Sequence, residues 1–311
     1  MGKVYGPRHG SMQFWPRVRS KSIHTRIRSW PNISEVKLLG FIGYKAGMTS
    51  VRYIDTKKTS PTKNELLSVP CTIIECPPIK IFSLRLYKQN KVVGEAINPK
   101  LDKEVGRRVT LPKNIKTKIP DSVTNFDEVR VVVYTQPKLT GIGKKTPELL
   151  ELKISGKDAK IQLDYAKSNL DKEINVQSIL KAGQLIDAHS ITKGHGYQGP
   201  VKRFGIKLKS HKSEKGRRRP GTFGVWSGQQ HVMYRVAFAS KMGYHARTDY
   251  NKYVLKISEK ADLSPIANYG VVRNSYILVK GSVPGPKNRM ITMLHSIRVN
   301  NRTEMSLPTL K

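Results

Sequence analysis

Residues 38–55 read LLGFIGYKAGMTSVRYID, two apolar strand-like pieces around a glycine-rich turn. Outward from this stretch the same pattern repeats. Residues 69–87, VPCTIIECPPIKIFSLRLY, give two more strands, broken at Pro77-Pro78 because proline has no N–H to give to a ladder. Towards the other end, residues 251–258 (NKYVLKIS), 276–280 and 290–299 add strands, and GSVPGP at 281–286 is the turn between the last two. A further strand covers 184–191. Short strands divided by Gly and Pro favour a small closed antiparallel β-barrel over a helical domain. In the middle of the chain EVRVVVYTQP from Glu128 is a strong strand, and NVQSILKAGQL from Asn175 reads as a helix ended at Gly183. The expectation is a mainly β fold with an α+β insertion, the inserted α/β region being bounded near residues 94 and 182. No internal repeat is present.

The charge is as informative as the pattern. Of 311 residues 57 are Lys or Arg and 22 are Asp or Glu, a formal net charge of +35. Such a chain calls for a polyanionic partner, which argues against an ordinary small-molecule enzyme. At 38% hydrophobic content it still has enough for a folded core and lies outside the disordered class. The charge is segregated. Residues 1–34 hold seven basic residues and no acid, and 188–248 hold thirteen with Glu214 as the single acid. Residues 263–303 hold six and no acid, whereas 94–182 hold 17 basic against 12 acidic residues, a net of +5. The first and internal basic segments are rich in Gly and Pro and poor in apolar periodicity. They contain Trp15, Trp30 and Trp226, all three tryptophans of the chain. Aromatic rings interleaved with Arg and Lys suit RNA, where unstacked bases lie on rings and guanidinium groups meet phosphates.

Motifs for other chemistries fail on context. Gly194, Gly196 and Gly199 spell G-x-G-x-x-G, but the run PVKRFGIKLKSHKSEKGRRR that follows has no apolar helical face and no suitably placed acid. TGIGKKT at 140–146 has Lys138 where a P-loop needs its first glycine. The eight histidines show no metal spacing, and Cys71 and Cys76 form a lone C-x4-C pair with Cys71 in an apolar run that marks it as core. No catalytic, cofactor-binding or metal site is expected. Neither a membrane-length apolar run nor a signal-peptide start is found, so the expected location is the cytosol.

PRHGS at 7–11, LGFIGYKAGMT at 39–49, TKGHGYQGPVKRFGIK at 192–207, MGYHART at 242–248 and LVKGSVPGPKNR at 278–289 resemble, in order, blocks of the universal large-subunit ribosomal protein L-three family. The 7–11 block, the sizeable insertion and GRRRPG at 216–221 resemble its archaeal branch. The resemblance implies a structural protein, not an enzyme, that binds the large ribosomal RNA directly, nucleates subunit assembly and needs no cofactor. It implies a barrel in three parts (38–93, 183–198 and 242–311), the insertion at 94–182, and two long basic extensions, an N-terminal arm at 1–37 and an internal finger loop at 199–241. Both extensions would enter RNA, the finger reaching towards the peptidyl-transferase centre and the tRNA path with Trp226 at its tip. Implied partners are the large-subunit ribosomal RNA and neighbouring large-subunit proteins, with no membrane and no homo-oligomer. Two departures stand out: His195 and Tyr197 replace the usual Lys and Phe, and Ser227-Gly228 follow Trp226. A histidine brings less phosphate-pairing charge than lysine at neutral pH, though a phosphate neighbour favours its protonated form.

Charge and motif together nominate the RNA contacts. In the arm they are Lys3, Arg8, His9, Trp15, Arg17 and Arg19, followed by Lys45. In and before the finger they are Lys193, His195, Lys202, Arg203, Lys207, Lys209, Arg217, Arg218, Arg219 and Trp226. Beyond it stand His245, Arg247, Lys280, Lys287 and Arg289.

Overall fold

The computed structural model describes residues 11–55, 60–111, 126–221, 236–259 and 262–299 and the strand 309–310. The chain divides into two compact units. The larger comprises His24–Ser190 with Arg247–Lys311, and the smaller Met1–Ile23 with Ile191–Ala246.

The opening stretch forms one strand rather than two pieces: β1 runs unbroken from Gly40 to Ile54. Its glycines serve close approach, not a turn. A Cβ on Gly43 would stand 2.6 Å from Ile74 Cγ2 and 2.9 Å from the Glu75 carbonyl oxygen, so any side chain there would push the neighbouring strand away. The strand bends instead at a register shift between Lys45 and Gly47, a β-bulge. From Tyr44 to Ile54 β1 pairs with β2 (Leu66–Glu75).

At Pro77-Pro78 the chain leaves this sheet. β3 (Lys80–Lys88) and β4 (Lys91–Ile97) form a hairpin that joins β5 (Glu128–Tyr134) and β6 (Leu149–Lys153) in a separate four-stranded sheet of order β4-β3-β5-β6. The expected boundary at residue 94 therefore falls inside a strand of the second sheet, and two proline residues, which cannot pair onward, mark where the sheets part. The helix of this region is α1, Ala159–Ser168. Its inward face is built on Gln162, whose amide accepts from Val129 N at 2.9 Å and donates to the Gly156 carbonyl at 2.8 Å. The helix expected from Asn175 is only a 3-10 turn, Val176–Ser178. Val176, Ile179 and Leu180 are buried, but Gly183 turns at φ +83 and its N–H joins Val254 O at 2.9 Å, so the chain is already back at the first sheet.

The remaining strands are β7 (Leu185–Ile191), β8 (Gly194–Gln198), β9 (Ser240–Gly243), β10 (Ala246–Ser258), β11 (Tyr276–Lys280), β12 (Met290–His295) and β13 (Thr309–Leu310). The first sheet has the order β12-β7-β10-β11-β2-β1-β13, and β12 also pairs with β1. The six strands from β12 to β1 thus form a circuit of pairings that returns to its start. β8 and β9 pair separately, after a five-residue helix α2 (Pro200–Phe204) has followed β8.

One core joins the two sheets of the larger unit. Phe41, Ile42, Tyr44 and Ile74 from the first pack with Leu84, Val131, Val133 and Leu152 from the second, and the Tyr44 and Thr135 hydroxyls are 2.8 Å apart. Each fully buried side chain of this size contributes about 1.5–3 kcal/mol. Cys76 is a buried free thiol within it, and Cys71 a buried free thiol in a second cluster with Ile73, Leu255 and Tyr276.

Candidate nucleic-acid interface

The smaller unit concentrates the charge. Met1–Ile23 and Ile191–Ala246 contain 17 Lys or Arg and one acid, Glu214; 17 − 1 gives +16, leaving 35 − 16 = +19 on the larger unit. The ion pairs described, from Lys37–Glu35 to Lys256–Asp262, lie in the larger unit. In the smaller unit carbonyl oxygens and aromatic rings take their place.

Arg203 is the centre of this arrangement. Proline starts α2 and Gly205, left-handed at φ +63, ends it. The short helix turns Arg203 inward, leaving it 9% exposed. Its Nη2 donates to Arg17 O at 2.9 Å, its Nη1 to Phe238 O at 3.0 Å and its Nε to Lys241 O at 3.2 Å. Arg17 Nη1 donates back to Arg203 O at 2.6 Å. The Arg17 guanidinium lies 4.3 Å from the Phe204 ring centroid, and Trp15 packs on the same ring at 4.9 Å. Burial, then the like charge of Arg17, lower the Arg203 pKa. A buried guanidinium without a carboxylate is costly; here three carbonyl dipoles and a ring face offset that cost.

Three further contacts continue the pattern. Arg19 lies 5.1 Å from the Tyr244 ring centroid, Ser20 N donates to Tyr244 O at 2.8 Å, and His245 Nδ1 donates to Val18 O at 2.7 Å. β9 can approach β8 here only because position 243 is glycine. At φ +76, a Cβ would sit 2.0 Å from the Lys193 carbonyl oxygen.

Around this frame Lys193, His195, Lys202, Lys207, Arg217, Arg218 and Arg219 are exposed, and Lys209 partly so. Lys209 and Arg217 are brought together across a turn, Lys209 N donating to Arg217 O at 3.1 Å. G-x-G-x-x-G spans the exposed strand β8 and the cap of a five-residue helix. Lys3, Arg8, His9 and Trp226 lie outside the described residues.

The nominated residues of the larger unit divide. Lys45, 8% exposed, donates from Nζ to Val283 O at 2.6 Å and Gly285 O at 3.0 Å, and burial lowers its pKa. It is an internal strut for the Gly281–Pro286 turn. Lys280 donates to the Tyr53 hydroxyl at 2.7 Å and lies over that ring. Lys287 is exposed and reaches the Ala267 carbonyl. Arg247 and Arg289 are half-buried. Trp30, read with the basic segments, is half-buried, with part of its ring packed against the main core.

Sequence reasoning did not single out Phe204, Tyr244 or the Phe238 carbonyl, which hold Arg17, Arg19 and Arg203. For Phe204 the available signal was its place directly after Arg203. Among the described residues no cluster of three or more His, Cys, Asp or Glu could hold a metal ion, and no helix is long and apolar enough to cross a membrane.

A unit with sixteen surplus positive charges and its inner arginines on carbonyls accords with the sequence comparisons. The family described as Ribosomal protein L3 matches residues 1–310. The chain belongs to the ribosomal protein L3 family. It is 45% identical to large ribosomal subunit protein uL3 of Archaeoglobus fulgidus, over 95% of this chain and 93% of that protein. It is 41% identical to the uL3 proteins of Methanosphaera stadtmanae (96% and 94% covered) and Methanocaldococcus jannaschii (94% and 91%). The L3 family consists of structural ribosomal proteins, not enzymes. All five blocks quoted from the sequence fall within the matched span.

Proposed function

We propose that this L3 protein is a structural component of the large ribosomal subunit in the cytoplasm. It binds the large ribosomal RNA directly, and it nucleates assembly. The observation that carries the reading is the charge partition: the smaller unit holds +16 with a single acid, and its outward arginines and lysines are left for phosphates. Arg217, Arg218, Arg219, Lys193, Lys202 and Lys207, all exposed, are the foremost candidates, with Lys3, Arg8, His9 and Trp226 in the same segments. Most such contacts position the RNA rather than read its sequence. Arg17 and Arg203 act inwardly, holding the arm to the root of the finger, and Lys45 holds a turn.

In this reading the six-stranded circuit is a small closed barrel, the second sheet with α1 is the insertion, and residues 1–37 and 199–241 are the two extensions. The finger extends towards the peptidyl-transferase centre, with Trp226 near the tRNA path and the chemistry left to RNA. Neighbouring ribosomal proteins complete the partners, and the protein enters the subunit as a single copy. The test is co-sedimentation. The protein should run with the large subunit at low salt and leave it at high salt or after RNase treatment. Recovery in the RNA-free fraction at low salt would overturn the proposal.

A further inference from the structure

Residues 24–30 belong to the larger unit and alternate in burial. Thr25 is buried and Ile27 packs against the core, while Arg26 and Arg28 are exposed. The strap borders a cleft of about 540 Å³ between itself and the turn joining β3 to β4, within the size range of small-ligand sites, roughly 300–1,000 Å³. Half-buried Trp30 contributes aromatic surface, while Tyr87 is buried beneath the Arg130 guanidinium, which stacks 4.2 Å from its ring centroid. The cleft's carboxylate, Glu151, is already neutralised: Arg85 Nη1 and Arg130 Nη1 each donate to it at 3.0 Å. Arg26 and Arg28 have no acidic partner among the described residues. Asn90, at φ +61 in the turn, presents an exposed amide with no hydrogen-bond partner among the described residues.

We propose that this cleft takes one unstacked nucleotide of the RNA, with Arg26 and Arg28 on flanking phosphates and the Asn90 amide on the base edge. The proposal rests on the RNA-binding reading and adds a second contact surface, on the larger unit. Two guanidinium groups without an acidic partner among the described residues, beside an aromatic face and an exposed amide, match what a splayed-out nucleotide requires: phosphate charge, a π-face and a donor–acceptor pair. The neutralised Glu151 removes the repulsion a phosphate would otherwise meet.

The test uses the full chain and a large-subunit ribosomal RNA transcript, with affinity measured across salt concentrations. Replacing both arginines (R26Q/R28Q) should lower the slope of log K against log salt by about 1.4–1.8. N90G, which keeps the left-handed turn, should weaken binding roughly tenfold with no change in slope. An unchanged slope in R26Q/R28Q, while R217Q/R218Q/R219Q flattens it, would overturn the cleft and leave the RNA-binding reading intact. Unchanged slopes in both would overturn that reading as well. In intact subunits, ultraviolet crosslinking should place a nucleotide adduct on residues 24–30 or 87–91; crosslinks there to another protein would overturn the proposal.

Discussion

The second sheet of the larger unit and the frame of the smaller unit both hold arginines between strands and rings, yet they neutralise them differently. On the sheet, Arg85 and Arg130 share Glu151, Glu128 binds Arg130 and Lys153, and Glu95 completes the set. Three cations thus meet three anions. In the smaller unit Arg203 and Arg17 meet carbonyls and the Phe204 ring. Carbonyl dipoles satisfy hydrogen bonds without cancelling net charge, so the unit's field remains directed at a polyanion. The difference separates charge that builds the fold from charge left for a partner.

The sharpest way to break this comparison is to remove one member of each set. Arg203→Met leaves three carbonyls without their donor and should destabilise the smaller unit by about 3–5 kcal/mol. Hydrogen exchange should accelerate in residues 14–23 and 236–245, with the second sheet unchanged; protection retained in those segments would contradict the latch. Leu152→Ala, in the core of the larger unit and fully buried, should cost about 2–5 kcal/mol. Its exchange pattern should be the reverse, loosening the second sheet.

Acid sharpens the contrast further. Burial, then Lys37, lower the pKa of His295 to about 4. The folded state therefore binds its proton later than the unfolded chain, whose histidine titrates near about 6.5. Stability is unaffected above that value and falls as the pH drops towards 4, by about 2–3 kcal/mol from this residue. Thermal melts of the full chain between pH 7 and pH 4.5 should show that loss, and His295→Asn should reduce it. Glu128 gives a smaller effect. Burial alone would raise its carboxyl, but hydrogen bonds from Lys153 and Arg130 outweigh it and hold the pKa below the usual value. Its contribution, about 1 kcal/mol, is present above the unfolded carboxyl range, near about pH 4.3, and is lost as pH falls through the lower folded value. Glu128→Gln should remove that acid limb, and melts at pH 3–5 would reveal it.

The sequence discloses some of this. GSVPGP marks the turn between β11 and β12, and the strand at 276–280 matches β11 to the residue, because strand alternation and turn residues are local signals. The sheet change at Pro77-Pro78 is less legible: β3 reads as the same apolar strand whichever sheet receives it. The helix α1 escapes notice because its inward face carries a glutamine, buried only through its two backbone bonds. Positions 40–54 look interrupted because glycines that admit a neighbouring strand are spelled like those of a turn. For the site, the segregation of charge is legible and the direction of each side chain is not. Arg203 and Lys45 share their residue types with phosphate contacts, and only the fold turns them onto carbonyls.

The most direct test compares salt slopes for RNA binding by the full chain. Arg217→Gln, Arg218→Gln and Arg219→Gln together should flatten the slope by about 2.1–2.7. Lys100→Gln, Lys138→Gln and Lys256→Gln remove three cations that pair with acids in the larger unit and should leave it unchanged. Equal flattening in the two triple variants would contradict the account, because charge would then act by total and not by whether an acid already holds it.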